Sequence, residues 1–327
     1  MLHIIGGSGF VGTSLSRQLA DAGIDFNIID LQPSKMFPEK TNIADICNKM
    51  KLKGFLKGDT VINLAAVHRD DITDISKYYS VNVEGAKTLC AVCEELEINK
   101  IIFTSSVAVY GFAERDTGED GKINPFNEYG RTKALAEEVY RSWQEKDPQN
   151  RRLVIVRPTV VFGEGNRGNV YNLLNQINSG NFAMIGDGKN KKSMAYVENL
   201  SSFLTKCIFS VEPYSIYNYV DHPNLSMNEL VKIVRSKLKG KNSIGIRIPK
   251  FIGLIVGYIA DLLAKIGFRL PISSIRIKKF CSSSDFLTNK NNLDNFQTPF
   301  TLQEGLERTL DSEFLRPDPE RQIFYTE

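Results

Sequence analysis

Residues 2–12, LHIIGGSGFVG, decide the fold: a short apolar run breaks into glycines at 6, 9 and 12 and passes into a helical pattern. Gly6, Gly9 and Gly12 each serve a mechanical purpose, in turn a tight turn off a strand, close approach of backbone to a pyrophosphate, and close packing of helix on strand. Phe10 and Val11 then open the helix, whose first N–H groups and positive dipole end face the phosphates. Eighteen residues after Gly12, Asp30 ends the next apolar run, where a carboxylate accepts hydrogen bonds from adenosine ribose hydroxyls. That carboxylate repels a 2′-phosphate and no Arg follows directly, so NAD is favoured over NADP. Asp45-Ile46, after the third strand position, is a candidate for holding the adenine.

Outward from the loop, strands expected at 2–6, 26–30, 60–65, 100–105 and 153–157 alternate with helical patterns near 10–22, 76–97 and 128–145. That alternation argues for βαβ units and a parallel sheet covered on both faces. The expected class is α/β, a Rossmann-type doubly wound parallel sheet over 1–160, with a segment near 195–220 returning to it. Beyond residue 157 the pattern turns irregular, with Gly-rich loops at 163–168 and 186–188, and a smaller C-terminal substrate-binding lobe is expected over 161–327. No period of 20–50 residues recurs, which excludes a solenoid.

The 327 residues are 42% hydrophobic and 24% charged, ordinary for a globular chain. The N-terminus shows no secretory pattern, so a cytoplasmic location is expected. Five scattered cysteines fit a reducing compartment, and Cys90-x-x-Cys93, inside a helical pattern, reads as two small buried hydrophobes. A net charge of +3 gives no sign of a nucleic-acid surface, yet residues 231–280 hold twelve Lys or Arg against one acid, +11, leaving −8 elsewhere. His68 has neither a second His nor ligand spacing, so no metal site is expected.

Residues 103–111, FTSSVAVYG, close one strand, and 129–133, YGRTK, begin the next helix. Tyr129 and Lys133, four apart, share a helical face. A free tyrosine, with a pKa of about 10, is a poor base at neutral pH; a neighbouring ammonium favours its phenolate, and a strand-end serine can bridge it to a substrate hydroxyl. Together these residues make a site for oxidising a hydroxyl to a ketone.

On Gly6/Gly9/Gly12, Asp30, Leu64-Ala65-Ala66, Asn82, Ser106, Tyr129/Lys133 and Arg157-Pro158-Thr159, the chain resembles the extended short-chain dehydrogenases/reductases, specifically the NAD-dependent sugar epimerase/dehydratase group. Residues 192–199, KSMAYVEN, look like the family segment that brings a basic residue, here Lys192, to substrate phosphate. The resemblance implies Ser106, Tyr129 and Lys133 as the catalytic set and places Leu64, Ala65, Ala66, Asn82 and Pro158 at the cofactor. It also implies a homodimer through the helices near 80–97 and 130–145. Family dehydratases carry an Asp-Glu pair directly after the catalytic hydroxyl residue; Val107 and Ala108 stand there, which argues against dehydration. Epimerisation needs only the base, the cofactor and room for a transient 4-keto sugar to turn.

Local runs at 65–71 (AAVHRDD), 166–174 (NRGNVYNLL), 217–221 (YNYVD) and 276–281 (RIKKFC) narrow the resemblance to family members that act at C4 of N-acetylglucosamine joined through diphosphate to undecaprenol, giving N-acetylgalactosamine for O-antigen assembly. Val160 replaces an Asn that many nucleotide-sugar epimerases carry near the diphosphate. Ser106 and Val107 are expected at the sugar, with Arg167, Asn169, Lys192 and Arg276 at the phosphates, and His68 either at the sugar or in a solvated loop. The rivals are a soluble UDP-N-acetylglucosamine or UDP-glucose 4-epimerase, a hydroxysteroid-like NAD-dependent dehydrogenase, and a non-catalytic dinucleotide sensor.

Residues 251–268, FIGLIVGYIADLLAKIGF, lie inside the basic block with only Asp261 and Lys265 charged. As a helix they put Gly253, Gly257, Asp261 and Lys265 in one row and apolar residues around the rest. Two central charges make spanning a bilayer costly. The stretch either docks on an anionic membrane surface, the cytoplasmic face of a bacterial inner membrane, or packs as a core helix or dimer contact.

Overall fold

A computed structural model describes residues 1–69, 72–268, 273–289, 293 and 295–326. Asp70, Asp71 and Arg269 lie outside the described residues. The first half runs β1 (Leu2–Ile5), α1 (Phe10–Asp21), β2 (Phe26–Asp30), β3 (Thr41–Ile43), α2 (Lys49–Phe55), β4 (Thr60–Asn63), α3 (Ser76–Tyr78), α4 (Gly85–Glu95), β5 (Lys100–Thr104), α5 (Glu128–Glu145) and β6 (Arg152–Pro158). The second half adds β7 (Val160–Phe162), α6 (Asn169–Ser179), β8 (Met184–Ile185), β9 (Lys191–Lys192), β10 (Met194–Tyr196), α7 (Val197–Phe209), β11 (Tyr214–Tyr219), β12 (Leu225–Ser226), α8 (Met227–Lys239), β13 (Arg247–Ile248), α9 (Lys250–Lys265), α10 (Ser274–Cys281) and α11 (Leu302–Leu310).

Seven strands form one parallel sheet in the order β11-β6-β5-β4-β1-β2-β3. Side chains alternate across a strand, so consecutive apolar residues feed opposite faces. Ile5, Ile29, Val61, Ile101 and Ile155 pack under α4 and α5 with Leu89, Cys93, Tyr140 and Trp143. Their neighbours Ile4, Ile28, Ile62, Ile102 and Val154 pack under α1 and α7 with Leu15, Leu19, Leu200 and Phe203. Cys90 and Cys93 are free and buried in the first of these layers, and burial pushes the Cys93 thiol up to about 12, so neither is a ready nucleophile. Chain order reverses between β4 and β1, which opens a crevice at the carboxyl edge of the sheet.

A further buried cluster forms where Leu174 of α6, Leu230 and Val231 of α8, and Leu306 of α11 meet. At its margin α9 packs on α10. A Cβ on Gly257 would stand 2.8 Å from the Ser274 Cα, and one on Gly253 2.7 Å from Ile185, so the small-residue row is the inward face. Both Asp261 carboxylate oxygens accept from the Ser274 N–H at 3.3 Å, holding the start of α10. The row that resembles a narrow polar stripe in the sequence is therefore a packing seam. The opposite arc is left to solvent: Phe251, Ile252, Ile255, Val256, Tyr258, Ile259, Leu262, Ile266 and Phe268 are 41–67% exposed. No helix of the described residues is long and apolar enough to cross a membrane.

Candidate active site

The glycine loop sits at the switch between β1 and β4. Gly6 has a φ of +79°, and a Cβ there would meet the Ala65 nitrogen at 2.6 Å, so a side chain would force apart the two strand ends. Gly9 faces the other way: a Cβ on it would meet nothing nearer than the Gly6 carbonyl oxygen at 3.4 Å, which leaves open space beside the start of α1. Half-buried Phe10 and Val11 occupy the first two helical positions. The Asp30 carboxylate accepts from the Ser8 N–H at 2.9 Å and the Leu31 N–H at 2.7 Å, which fastens the loop to the end of β2. An open cradle of uncapped N–H groups beside a fixed carboxylate fits the diphosphate and ribose of NAD.

Asp45 is exposed and accepts from the Cys47 N–H at 2.8 Å. Ile46 is buried, so tightly against the start of α4 that a Cβ on Gly85 would lie 2.7 Å from its Cγ2. Past β4, the Leu64 N–H donates to the Ile5 carbonyl at 2.8 Å and the Ala65 N–H to Asn63 Oδ1 at 3.0 Å, and Ala66 follows half-buried. The Asn82 amide clamps Val67 through both its N–H (2.8 Å) and its carbonyl (3.0 Å) and also donates to Thr132 Oγ1 at 2.9 Å. Asn82 thus ties the segment after β4 to α5.

Ser106 caps the 3-10 turn Val107–Tyr110, its Oγ accepting from the Ala108 N–H at 3.1 Å. Tyr129 lies in the first turn of α5, whose cap Asn127 accepts from the Gly130 N–H at 2.9 Å. Gly130, which no sequence motif singles out, lets the two segments touch: a Cβ there would stand 2.4 Å from the Ala108 carbonyl oxygen. Lys133, one turn on, is buried, donates to the Thr104 carbonyl at 2.7 Å and lies 4.7 Å from the Phe103 ring centroid. Pro158, also buried, ends the neighbouring β6.

Burial pushes Lys133 down to about 7, against the opposing pull of the Glu137 carboxylate. In an unfolded chain a lysine titrates near about 10.4, so between about pH 7 and 10 the unfolded state binds more protons and stability rises with pH across that window. Denaturation at pH 7 and pH 9 should show this rise in the native chain, and Lys133→Met should reduce it, leaving the part contributed by Lys100 and Lys192, which burial lowers to about 8; equal slopes in native chain and variant would contradict the burial.

A buried network underlies Lys133. Glu137 accepts from Ser105 Oγ (2.5 Å), Arg157 Nε (2.8 Å) and Arg157 Nη2 (2.6 Å), and Arg157 also donates to the Tyr110 hydroxyl at 2.6 Å. Burial works against the Arg157 charge, but Glu137 outweighs it and holds the guanidinium above its ordinary pKa. Glu137 was not legible as a site residue, since a glutamate on a helix is most often solvated.

Two of the expected phosphate cations are engaged within the fold. Arg167 pairs with the buried Glu313 at 2.6 Å and lies 4.0 Å over the Tyr171 ring. Lys192 donates to the Lys279 and Ser282 carbonyls at 2.9 and 2.7 Å, closing the end of α10, and burial lowers it to about 8. Asn169 opens α6 and is exposed, Arg276 is exposed on α10, Val107 is half-buried beside Ser106, and His68 is exposed with Nδ1 3.4 Å from the Ala66 carbonyl. A cavity of about 500 Å³ is lined by residues including Asp116, Lys191, His222 and Asp285, and by none of Ser106, Tyr129 or Lys133. Among the described residues no cluster of His, Cys, Asp or Glu could hold a metal ion.

Crevice and cradle are those of a dinucleotide-dependent enzyme, and the model of the NAD-dependent epimerase/dehydratase family matches residues 2–218. The chain belongs to that family. N-acetyl-α-D-glucosaminyl-diphospho-ditrans,octacis-undecaprenol 4-epimerase of Escherichia coli O157:H7 is 46% identical over 329 residues, covering 99% of this chain and 98% of that one. The decarboxylating sterol-4-α-carboxylate 3-dehydrogenase of Mus musculus is 31% identical over 204 residues, 60% of this chain and 56% of the mouse protein. Among solved structures, UDP-N-acetylglucosamine 4-epimerase from Bacillus cereus superposes with a TM-score of 0.75 at 16% identity, covering 97% of this chain and 99% of the other, a likeness of fold.

Proposed function

We propose that this chain interconverts N-acetylglucosamine and N-acetylgalactosamine at C4 while the sugar is carried on undecaprenyl diphosphate. The observation that supports the reading is that the turn capped by Ser106 touches the first turn of α5 through Gly130, with Lys133 buried one turn on and Val107 and Ala108 where an acid–base pair for dehydration would stand. Bound NAD supplies the reversible hydride acceptor for the C4 position. Tyr129 takes the proton of the C4 hydroxyl and returns it, Lys133 lowers the cost of the phenolate, and the Ser106 hydroxyl orients the reacting oxygen. Between the two transfers the ketone turns over, so the same base serves both faces.

Support for a lipid-linked substrate comes from the full-length Escherichia coli relative and from α9. An enzyme acting on a polyprenyl head group must work at the bilayer surface. We assign the exposed arc of α9 to the interface of an anionic membrane, with Lys250, Lys265 and Lys278 near its rim each contributing on the order of 1 kcal/mol. Dimerisation through α4 and α5 completes the proposal; exposed Leu135 and half-buried Val139, one turn apart, offer the apolar contact on α5.

Purified protein without added NAD should convert the undecaprenyl-diphosphate-linked sugar, with N-acetylgalactosamine recovered on hydrolysis. Turnover of UDP-N-acetylglucosamine alone would refute the assignment. Changing Phe251, Ile255 and Leu262 together to Ser removes on the order of 1 kcal/mol of partitioning for each half-inserted side chain, about a hundredfold in all. Cosedimentation with phosphatidylglycerol vesicles checks this; unchanged binding by a folded variant argues for another surface.

A further inference from the structure

Consecutive lysines of α10 face two ways. Lys278 Nζ lies 5.4 Å from the ring centroid of Tyr258, on the exposed side of α9, and Lys279 Nζ lies 4.5 Å from that of Phe126. Phe126 stacks on Phe112, centroids 4.8 Å apart and planes at 29°, yet both rings remain about half exposed and outside the buried cores. The pair comes from the two ends of the catalytic segment. Phe112 follows the turn headed by Ser106, and Phe126 directly precedes Asn127, the cap of the helix that carries Tyr129. The Asn124 N–H donates to the Val109 carbonyl at 2.9 Å, which binds the two arms of this loop together. Arg276 and Lys279, three apart on α10, share a helical face. Catalytic turn, aromatic pair, cationic helix and apolar helix therefore follow one another without a gap.

A polyprenyl diphosphate needs that sequence of surfaces: cations for the diphosphate, then apolar shelter for the chain until it reaches lipid. We infer that Phe112, Phe126 and Lys279 form the subsite for the diphosphate and first isoprene units of the substrate, which crosses the stacked rings and α10 onto α9. This rests on the lipid-linked reading above. The two rings belong to none of the buried cores of the described residues, and the ammonium over Phe126 stands where the anionic and apolar parts of such a substrate meet.

The test compares N-acetylglucosamine diphosphate carrying a geranyl chain with the same compound carrying only a methyl ester. In the Phe112→Ser/Phe126→Ser variant the KM for the geranyl compound rises ten- to a hundredfold, at least tenfold more than the KM for the methyl ester. Lys279→Gln, which leaves the rings in place, raises KM for both compounds. Equal KM changes for the two compounds in the double variant, or none in either variant, would overturn the subsite while leaving lipid-linked turnover by the native enzyme intact. Native enzyme that turns over only UDP-N-acetylglucosamine overturns the subsite together with the reading beneath it.

Discussion

Tyr129→Phe lowers kcat for epimerisation on the order of 10²- to 10⁴-fold, the range that a positioned general base contributes. The substitution removes one oxygen from the first turn of α5 and leaves the Asn127 cap, the Gly130 contact with Ala108 and the Lys133 bond to Thr104 in place. NAD content and thermal midpoint should match those of the native chain, which separates lost chemistry from lost fold. Retention of more than about a tenth of the native rate would hand the proton to another group.

The second large effect concerns stability. Glu137→Ala strips the buried Arg157 guanidinium of two charged hydrogen bonds at 2.8 and 2.6 Å and leaves Ser105 Oγ without its acceptor. Breaking one side of a buried pair costs about 3–5 kcal/mol because the surviving charge stays out of water. Removing both charges, as in Glu137→Leu with Arg157→Met, should return much of that loss, since the desolvation penalty disappears with the charges. Urea denaturation of the native chain and both variants reads this directly. A single-variant loss under about 1 kcal/mol would mean that water reaches Arg157.

The alternating strands and glycine loop were legible because they follow from local rules. Buried parallel strands must be apolar on both sides, and Gly6 and Gly12 stand where a Cβ would collide with backbone. The Tyr129/Lys133 pair was legible for the same reason, as helical spacing alone places both on one face. What stayed hidden depends on contacts between distant segments. Lys192 lies in the segment expected at substrate phosphate, yet its ammonium closes the end of α10, nearly ninety residues on. Glu137 is a helical glutamate until β6 brings Arg157 against it. For α9 the periodicity showed the glycine row but not its direction, because Gly253 and Gly257 mark equally a bare surface and a seam against a second helix. Packing on Ile185 and Ser274 settles that, and the apolar arc is turned outward as a consequence.

That outward arc also governs how the molecule behaves away from any bilayer. In plain buffer a second copy of the same arc would cover it, so detergent-free solutions should scatter light increasingly with concentration. A mild detergent, by covering α9, should suppress that increase, and equal scattering with and without detergent would mean that the arc is not what brings copies together.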